Sequence, residues 1–174
     1  VEREDYFGLA FGTGGTADIT EFIYRGIGDK FLGSGGQHLA QLDPNGPAGA
    51  QFSAAAWGMM AADKAVVFLE NHDTQRNGGI GYRDGDLHRL AHVFMLAHPY
   101  GHPKVMSSYA FDRTSQLGRD AGPPSASGGA TLPVSCAPSW TDADIGEWVC
   151  EHRDPAIIAM AGFREVVAGA PITG

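Results

Sequence analysis

With 174 residues, 43% of them apolar, the chain has enough material for one domain with a real core. Its net charge of −8 leaves no basic stripe, so nucleic acid and anionic membrane surfaces are disfavoured as partners and the charge reads as solubility. No apolar run approaches the roughly eighteen residues of a membrane span, and the N-terminus lacks a signal-peptide pattern, although a leader removed from a longer precursor would leave no trace.

In chain order, residues 17–24 (Ala17 to Tyr24) alternate polar and apolar side chains and are rich in β-formers, which predicts a strand. The next thirty or so residues are Gly-rich, with a weak helical stretch around Ile27 to Leu32 and a turn at Asp43-Pro44-Asn45-Gly46-Pro47, and read as a loop-dominated crossover. Lys64 to Leu69 is a second predicted strand, followed by a loop over Asn77 to Gly85. From Asp86, Leu87, Leu90, Ala91, Phe94 and Met95 recur at helical spacing until Pro99-Tyr100-Gly101 ends the helix. Lys104 to Phe111 is a third predicted strand, and the Gly/Pro/Ser-rich stretch from Ala121 to Pro133 a surface loop. A last helix runs over Pro155 to Val167, opened by Asp154 as cap with Pro155 in its first turn. Strand and helix alternate three times, which predicts an α/β fold built from successive βα units of a parallel sheet.

The most informative stretch is Val66 to Arg76, where a β-branched apolar run breaks into Glu70, Asn71, His72 and Asp73. A strand this apolar belongs to a parallel sheet covered on both faces, and such sheets place their chemistry just past the carboxyl ends of their strands. The cluster Glu70 to Asp73 therefore sits where an active site would be, although a strand-end Asp such as Asp73, taken alone, more often caps backbone amides in a turn. His88 and His92 have the i, i+4 spacing of a metal pair, yet the glutamate of a zinc-protease motif is absent from His-Arg-Leu-Ala-His, and helix packing is the expected role. Gly79-Ile80-Gly81 lies between strand and helix like a dinucleotide loop, but Asp84 stands where the third glycine belongs and would repel a pyrophosphate. The two cysteines, Cys136 and Cys150, are compatible by spacing with free thiols or with a bridge.

The run Phe68-Leu69-Glu70-Asn71-His72-Asp73 resembles the fourth signature region of the alpha-amylase family. Phe94 to Tyr100 (Phe-Met-Leu-Ala-His-Pro-Tyr), Val105 to Tyr109 (Val-Met-Ser-Ser-Tyr) and Trp148 to Arg153 (Trp-Val-Cys-Glu-His-Arg) resemble the animal-type, chloride-dependent branch of that family, in the same order. The resemblance runs from about Tyr6 to the end of the chain, apart from divergent stretches near 33 to 53 and 112 to 147. It implies the C-terminal portion of a (β/α)8 TIM barrel, about strands six to eight with their helices. Such a barrel typically needs about 250 residues, so residues 1–174 are expected to form a partial catalytic domain, an internal piece of a larger protein.

By this resemblance the parent is a secreted, extracellular alpha-amylase that hydrolyses internal α-1,4-glucosidic bonds of starch or glycogen with retention and acts as a monomer. Asp73 corresponds to one of three catalytic carboxylates and His72 to a substrate-binding residue. Asn71 and Lys104 correspond to two chloride ligands, Lys104 standing where an Arg is more usual. Cys136 and Cys150 correspond to a disulfide. The nucleophile, the acid/base carboxylate and the calcium ligands are expected upstream, so the isolated piece is expected to be inactive, and calcium and chloride are the implied cofactors. Two departures stand out: Glu70 replaces the usual Asp, and Gly78 falls where the animal-type loop has a substrate-touching His. The alternatives are a related α-glucosidase or glucan transferase, and a non-catalytic carbohydrate-binding barrel protein.

Overall fold

The computed structural model describes residues 18–47, 51–141 and 144–170. Three short parallel strands, β1 (Ile19–Thr20), β2 (Ala65–Val67) and β3 (His102–Pro103), lie side by side in chain order. Ile19 faces Ala65 and Thr20 faces Val66, while Val66 faces His102 and Val67 faces Pro103. Parallel neighbours need crossovers, and helices supply them. α1 (Ile27–Leu32) and α2 (Ala54–Trp57), with 3-10 turns around them, lead from β1 to β2, and α3 (Asp86–Ala97) leads from β2 to β3. α4 (Gln116–Arg119) and α5 (Pro155–Val166) follow β3. The alternation of strand and helix is that of an α/β unit, as the sequence pattern predicts.

The core forms where β2 meets the helices. Ala65, Val67 and Leu69 are buried together with Tyr24, Ile27, Ile80, Ala91, Met95 and Ile157, so α1, α3 and α5 all contribute to one apolar cluster. Tyr24 stacks on Tyr100 with ring centroids 5.5 Å apart, and the Tyr100 hydroxyl donates to the Met60 carbonyl at 2.8 Å. A Cβ placed on Gly28 would lie 2.4 Å from Cγ2 of Ile80, so α1 packs its bare backbone against the loop after β2.

α3 and α5 are tied at both ends. Asp154 caps α5 by accepting from Ala156 N at 2.9 Å and Ile157 N at 3.3 Å, and its other oxygen accepts from Arg89 Nε of α3 at 2.9 Å. At the opposite end, Arg164 of α5 reaches the C-terminus of α3, where the last carbonyls lack helical partners. Its Nη1 donates to the His98 and Leu96 carbonyls at 2.5 and 3.3 Å, and its Nη2 to the Gly101 carbonyl at 2.5 Å. α3 stops at His98, which is extended, in keeping with the constraint that Pro99 places on the residue before it.

Three strand expectations need correction. The first strand covers Ile19–Thr20, and Ala17 lies outside the described residues. Glu21 ends it by accepting from Ile23 N at 3.1 Å and Met60 N at 2.8 Å, which turns the chain into a 3-10 helix over Phe22–Gly26. The second strand is shortened at both ends to Ala65–Val67: Lys64 belongs to a 3-10 turn over Ala62–Lys64, and Phe68 and Leu69 lie beyond the residues paired with β1 and β3. The third strand is His102–Pro103 and not the stretch from Lys104 to Phe111. Lys104 N still donates to Val67 O at 2.8 Å, but farther on the chain exchanges the sheet for another partner. Val149 N donates to Ser108 O at 2.8 Å and Ala110 N to Glu147 O at 2.9 Å, an antiparallel pairing centred on Tyr109 and Trp148. The helices Asp86–Ala97 and Pro155–Val166 and the short helix Ile27–Leu32 lie where the periodicity places them; the single turn Ala54–Trp57 carries no sequence signal strong enough to foresee.

Candidate active site at the end of the second strand

Past Val67 the chain continues through buried Phe68, Leu69 and Glu70 and surfaces at Asn71. Asn71 builds the turn: its Oδ1 accepts from Asp73 N at 3.0 Å and from Thr74 N at 2.9 Å. Thr74 reciprocates, its hydroxyl accepting from Asn71 N at 2.8 Å, and Asn71 O accepts from Gln75 N at 3.1 Å. This is an Asx-capped turn, in which a short side chain does the work of a backbone acceptor. The two bonds to Oδ1 orient the amide and leave Nδ2 as a donor outside the cap.

The capping role considered for Asp73 thus belongs to Asn71. Asp73 carries its carboxylate outward with its side chain 71% exposed, and His72 is 75% exposed with Nε2 at 3.4 Å from Asp73 Oδ1. The two side chains stand together at the carboxyl end of β2. Arg76 fixes the turn from one side. It donates to the His72 carbonyl, to the Tyr109 hydroxyl at 2.5 Å and to the Arg119 and Ala121 carbonyls at 2.7 and 3.1 Å, and its guanidinium lies 4.9 Å from the Phe111 ring centre. A cleft of about 540 Å³ lies elsewhere, between the disulfide and the start of α5, lined by Arg89, Trp140 and Asp154 among others; Asn71, His72 and Asp73 do not line it.

Behind the turn is a buried polar cluster. Glu70 Oε1 is 2.5 Å from His88 Nε2, with both side chains at 1% exposure or less. Burial pushes the Glu70 carboxyl up to about 8, Asp84 adding to the shift and Arg83 opposing it. Burial likewise pulls His88 down to about 4, against Glu151 and Asp84, and His92 down to about 3, with His88 adding to that shift. His92 Nδ1 donates to the His88 carbonyl at 3.0 Å. Glu151, also buried, accepts from Ser108 N at 2.7 Å, and its carboxyl is raised by burial and by Glu70. The histidine pair therefore serves the core and does not lie on the helix surface. Among the described residues no group of three or more His, Cys, Asp or Glu converges as a cation site. The sequence reading missed the Glu70–His88 contact, although a signal existed: His88 shares the face of Ala91, His92 and Met95, all buried at helical spacing.

Asn71 and Lys104 are placed on neighbouring strands without touching. Lys104 is exposed and follows β3 opposite Phe68, three residues short of Asn71 in register, or roughly 10 Å along the strand direction. No hydrogen bond links their side chains among the described residues. Gly78, at φ +86, is exposed in the loop beyond Asp73, with nothing within 4 Å of a Cβ built there. Cys136 and Cys150 do form a disulfide, with Cα atoms 5.6 Å apart.

No family model matches the chain. Known proteins do. An alpha-amylase of Oryzias latipes is 42% identical over 168 residues, covering 90% of this chain and 31% of that protein. Human alpha-amylase 1B is 37% identical over 184 residues, covering 99% of this chain and 32% of its own length. Among solved structures, wild-type alpha-amylase I from Eisenia fetida superposes with a TM-score of 0.74 at 32% identity, covering 94% of this chain and 32% of that one. A mutant of that Eisenia fetida protein in complex with maltohexaose superposes equally, at 31% identity. The chain spans about a third of the length of the curated relatives it matches. On this likeness, and on the strand end that carries Asn71, His72 and Asp73, the chain belongs to the alpha-amylase family and is a portion of an animal-type member.

Proposed function

We propose that this chain is the part of an alpha-amylase barrel that contributes strands six to eight, and that the whole protein hydrolyses internal α-1,4-glucosidic bonds of starch or glycogen with retention. The observation that carries this reading is the exposed Asp73 carboxylate at the end of β2, freed from turn duty because Asn71 makes the cap. The relatives found are alpha-amylases, which favours this over an α-glucosidase, a glucan transferase or a non-catalytic barrel.

A retaining glycosidase uses one carboxylate to attack the anomeric carbon and a second carboxyl to protonate the leaving oxygen, through an oxocarbenium-like transition state. Asp73 takes neither role. Its exposed, acceptor-only oxygens suit hydrogen bonds from sugar hydroxyls, and holding those hydroxyls in a distorted ring stabilises the transition state over the ground state. His72 beside it supplies a ring nitrogen to the same sugar. The attacking and protonating groups belong to other parts of the protein, as do the calcium ligands. For chloride, the two residues are of the right chemical type, an amide donor at Asn71 and the exposed Lys104 ammonium on the adjoining strand, a point charge without the fork of an arginine, and the Lys104 side chain would have to reach along the strand toward Asn71 to share an anion with it. The bound anion would supply negative charge near the protonating carboxyl. A secreted location is consistent with the disulfide, and we take the protein to act as a monomer.

The test is Asp73→Asn in the intact protein. The carboxylate acts mainly in the transition state, so kcat falls by about two orders of magnitude or more while folding is retained. A folded variant with near-normal kcat would return Asp73 to the role of an ordinary turn residue.

A further inference from the structure

We propose that Glu70 and His88 form a buried dyad sharing one titratable proton, and that this dyad is the positioning element for the turn that presents Asp73. The inference rests on the reading of Asp73 given above. Glu70 is the last buried residue of the run that continues from β2, joined by one peptide bond to Asn71, whose side chain organises the turn. Its Oε1 meets His88 Nε2 at 2.5 Å across the gap between β2 and α3, a distance that requires a proton between the two atoms. The contact fixes the direction in which the chain leaves the strand. A carboxyl one methylene longer than aspartate spans the gap.

Its surroundings decide how the proton is held. Among the described residues, Glu70 Oε2, His88 Nδ1 and one oxygen of Glu151 are buried without a hydrogen-bond partner. A Cβ on Gly81 would lie 2.9 Å from Glu70 Oε2, so the backbone of the following loop presses on the carboxyl. The charged and titratable groups facing the dyad are Arg83 and Asp84 from the turn before α3, Arg89 and His92 from α3, Glu151 from the segment after the disulfide, and Asp154 from the start of α5. Three of these are acids and two are arginines. An uncompensated negative charge on the dyad would face Glu151 and Asp84 in a site that water does not reach, so the neutral, one-proton form is the stable one.

The linkage has a definite sign. An unfolded Glu and His together hold one titratable proton between their ordinary values of 4.5 and 6.5; the folded dyad holds it from about 4 to about 8. From pH 6.5 to 8 the folded state therefore binds a proton that the unfolded state has lost, and stability is lost as pH rises through that window. One proton gives a factor of ten per pH unit, about 30-fold in the unfolding constant over the window.

The experiment is reversible unfolding of the intact protein between pH 6 and 9, beside Glu70→Gln, which keeps the shape and can still donate to His88 Nε2 but cannot titrate. The wild-type protein should show the roughly 30-fold rise, and the variant should lose it. With chloride fixed and saturating, the alkaline decline of kcat should also move in Glu70→Gln, which a merely structural contact would not cause. Identical pH dependence of unfolding in the two proteins would overturn the shared proton, and an unmoved kcat profile would overturn the positioning role. Should Glu70→Gln not fold, the wild-type dependence alone decides the first point: a flat unfolding constant from pH 6.5 to 8 refutes it. Near-normal kcat in Asp73→Asn would sink the carboxylate reading while leaving the unfolding result unaffected, so the two failures are distinguishable.

Discussion

Replacing Arg164 with Met removes the clamp between α5 and the end of α3 while keeping most of the apolar stem. The guanidinium donates to four carbonyls, of which two, at His98 and Gly101, are at full-strength distance, and two, at Leu96 and Met95, are 3.3 and 3.5 Å away. A hydrogen bond to a charged group contributes about 1.5–3 kcal/mol. Counting the two short ones and discounting for a half-buried guanidinium, whose carbonyl partners can recover water, leaves about 2–4 kcal/mol. The favourable charge at a helix C-terminus is part of that figure. Denaturant unfolding of the intact protein, read as a change in midpoint at constant slope, measures it. Lys at this position should recover at most about half, since one ammonium cannot fork between His98 O and Gly101 O. A loss below about 1 kcal/mol in Arg164→Met, or full recovery in Arg164→Lys, would refute the clamp. The segment held is the one that leads from α3 into β3 and so to Lys104.

Two further outcomes follow from the same structure. Replacing Cys136 and Cys150 together by Ser releases a loop with a sequence separation of 14, worth about 3 kcal/mol by loop closure, and urea unfolding should show a loss of that size that added reductant reproduces in the wild-type protein. If Asn71 and Lys104 hold chloride near the protonating carboxyl, chloride keeps that group protonated to higher pH, so salt should raise activity and extend the alkaline side of the profile. Lys104→Gln removes both the anion's anchor and the bare cation and should work without chloride and ignore it; a dialysed wild-type protein equally indifferent to chloride would reduce Lys104 to a solvated lysine.

The sequence revealed what depends on local pattern. The apolar faces of α3 and α5, the Asp154 cap and the break from Leu69 into polar residues are periodic or short-range signals, and all lie where expected. What was illegible depends on partners far along the chain. Residues 108–110 have the composition of a strand, but their amides and carbonyls pair with 147–149, a choice fixed by the disulfide at Cys150 and the Glu151 carboxylate. Composition gives the tendency to extend and not the partner. At the site, Asp73 was legible as a strand-end acid, whereas its release from capping depended on which of two Asx residues took the turn. The Glu70–His88 pairing needed the relative rotation of β2 and α3, which no single segment encodes.

The bare contact at Gly28 gives the site an unusual mechanical coupling. Where two side chains meet, a small shift of one element is absorbed by rotamer changes in both; where backbone meets Ile80, half of that slack is missing. Ile80 sits between the turn of Asp73 and the turn that presses on Glu70, so displacement of α1 is handed to the loop with little damping. Any side chain at position 28 would have to push Ile80, and with it the loop after β2, from a helix far in sequence from Asn71, His72 and Asp73. Selection for activity at a different temperature could act there without altering the chemistry at all.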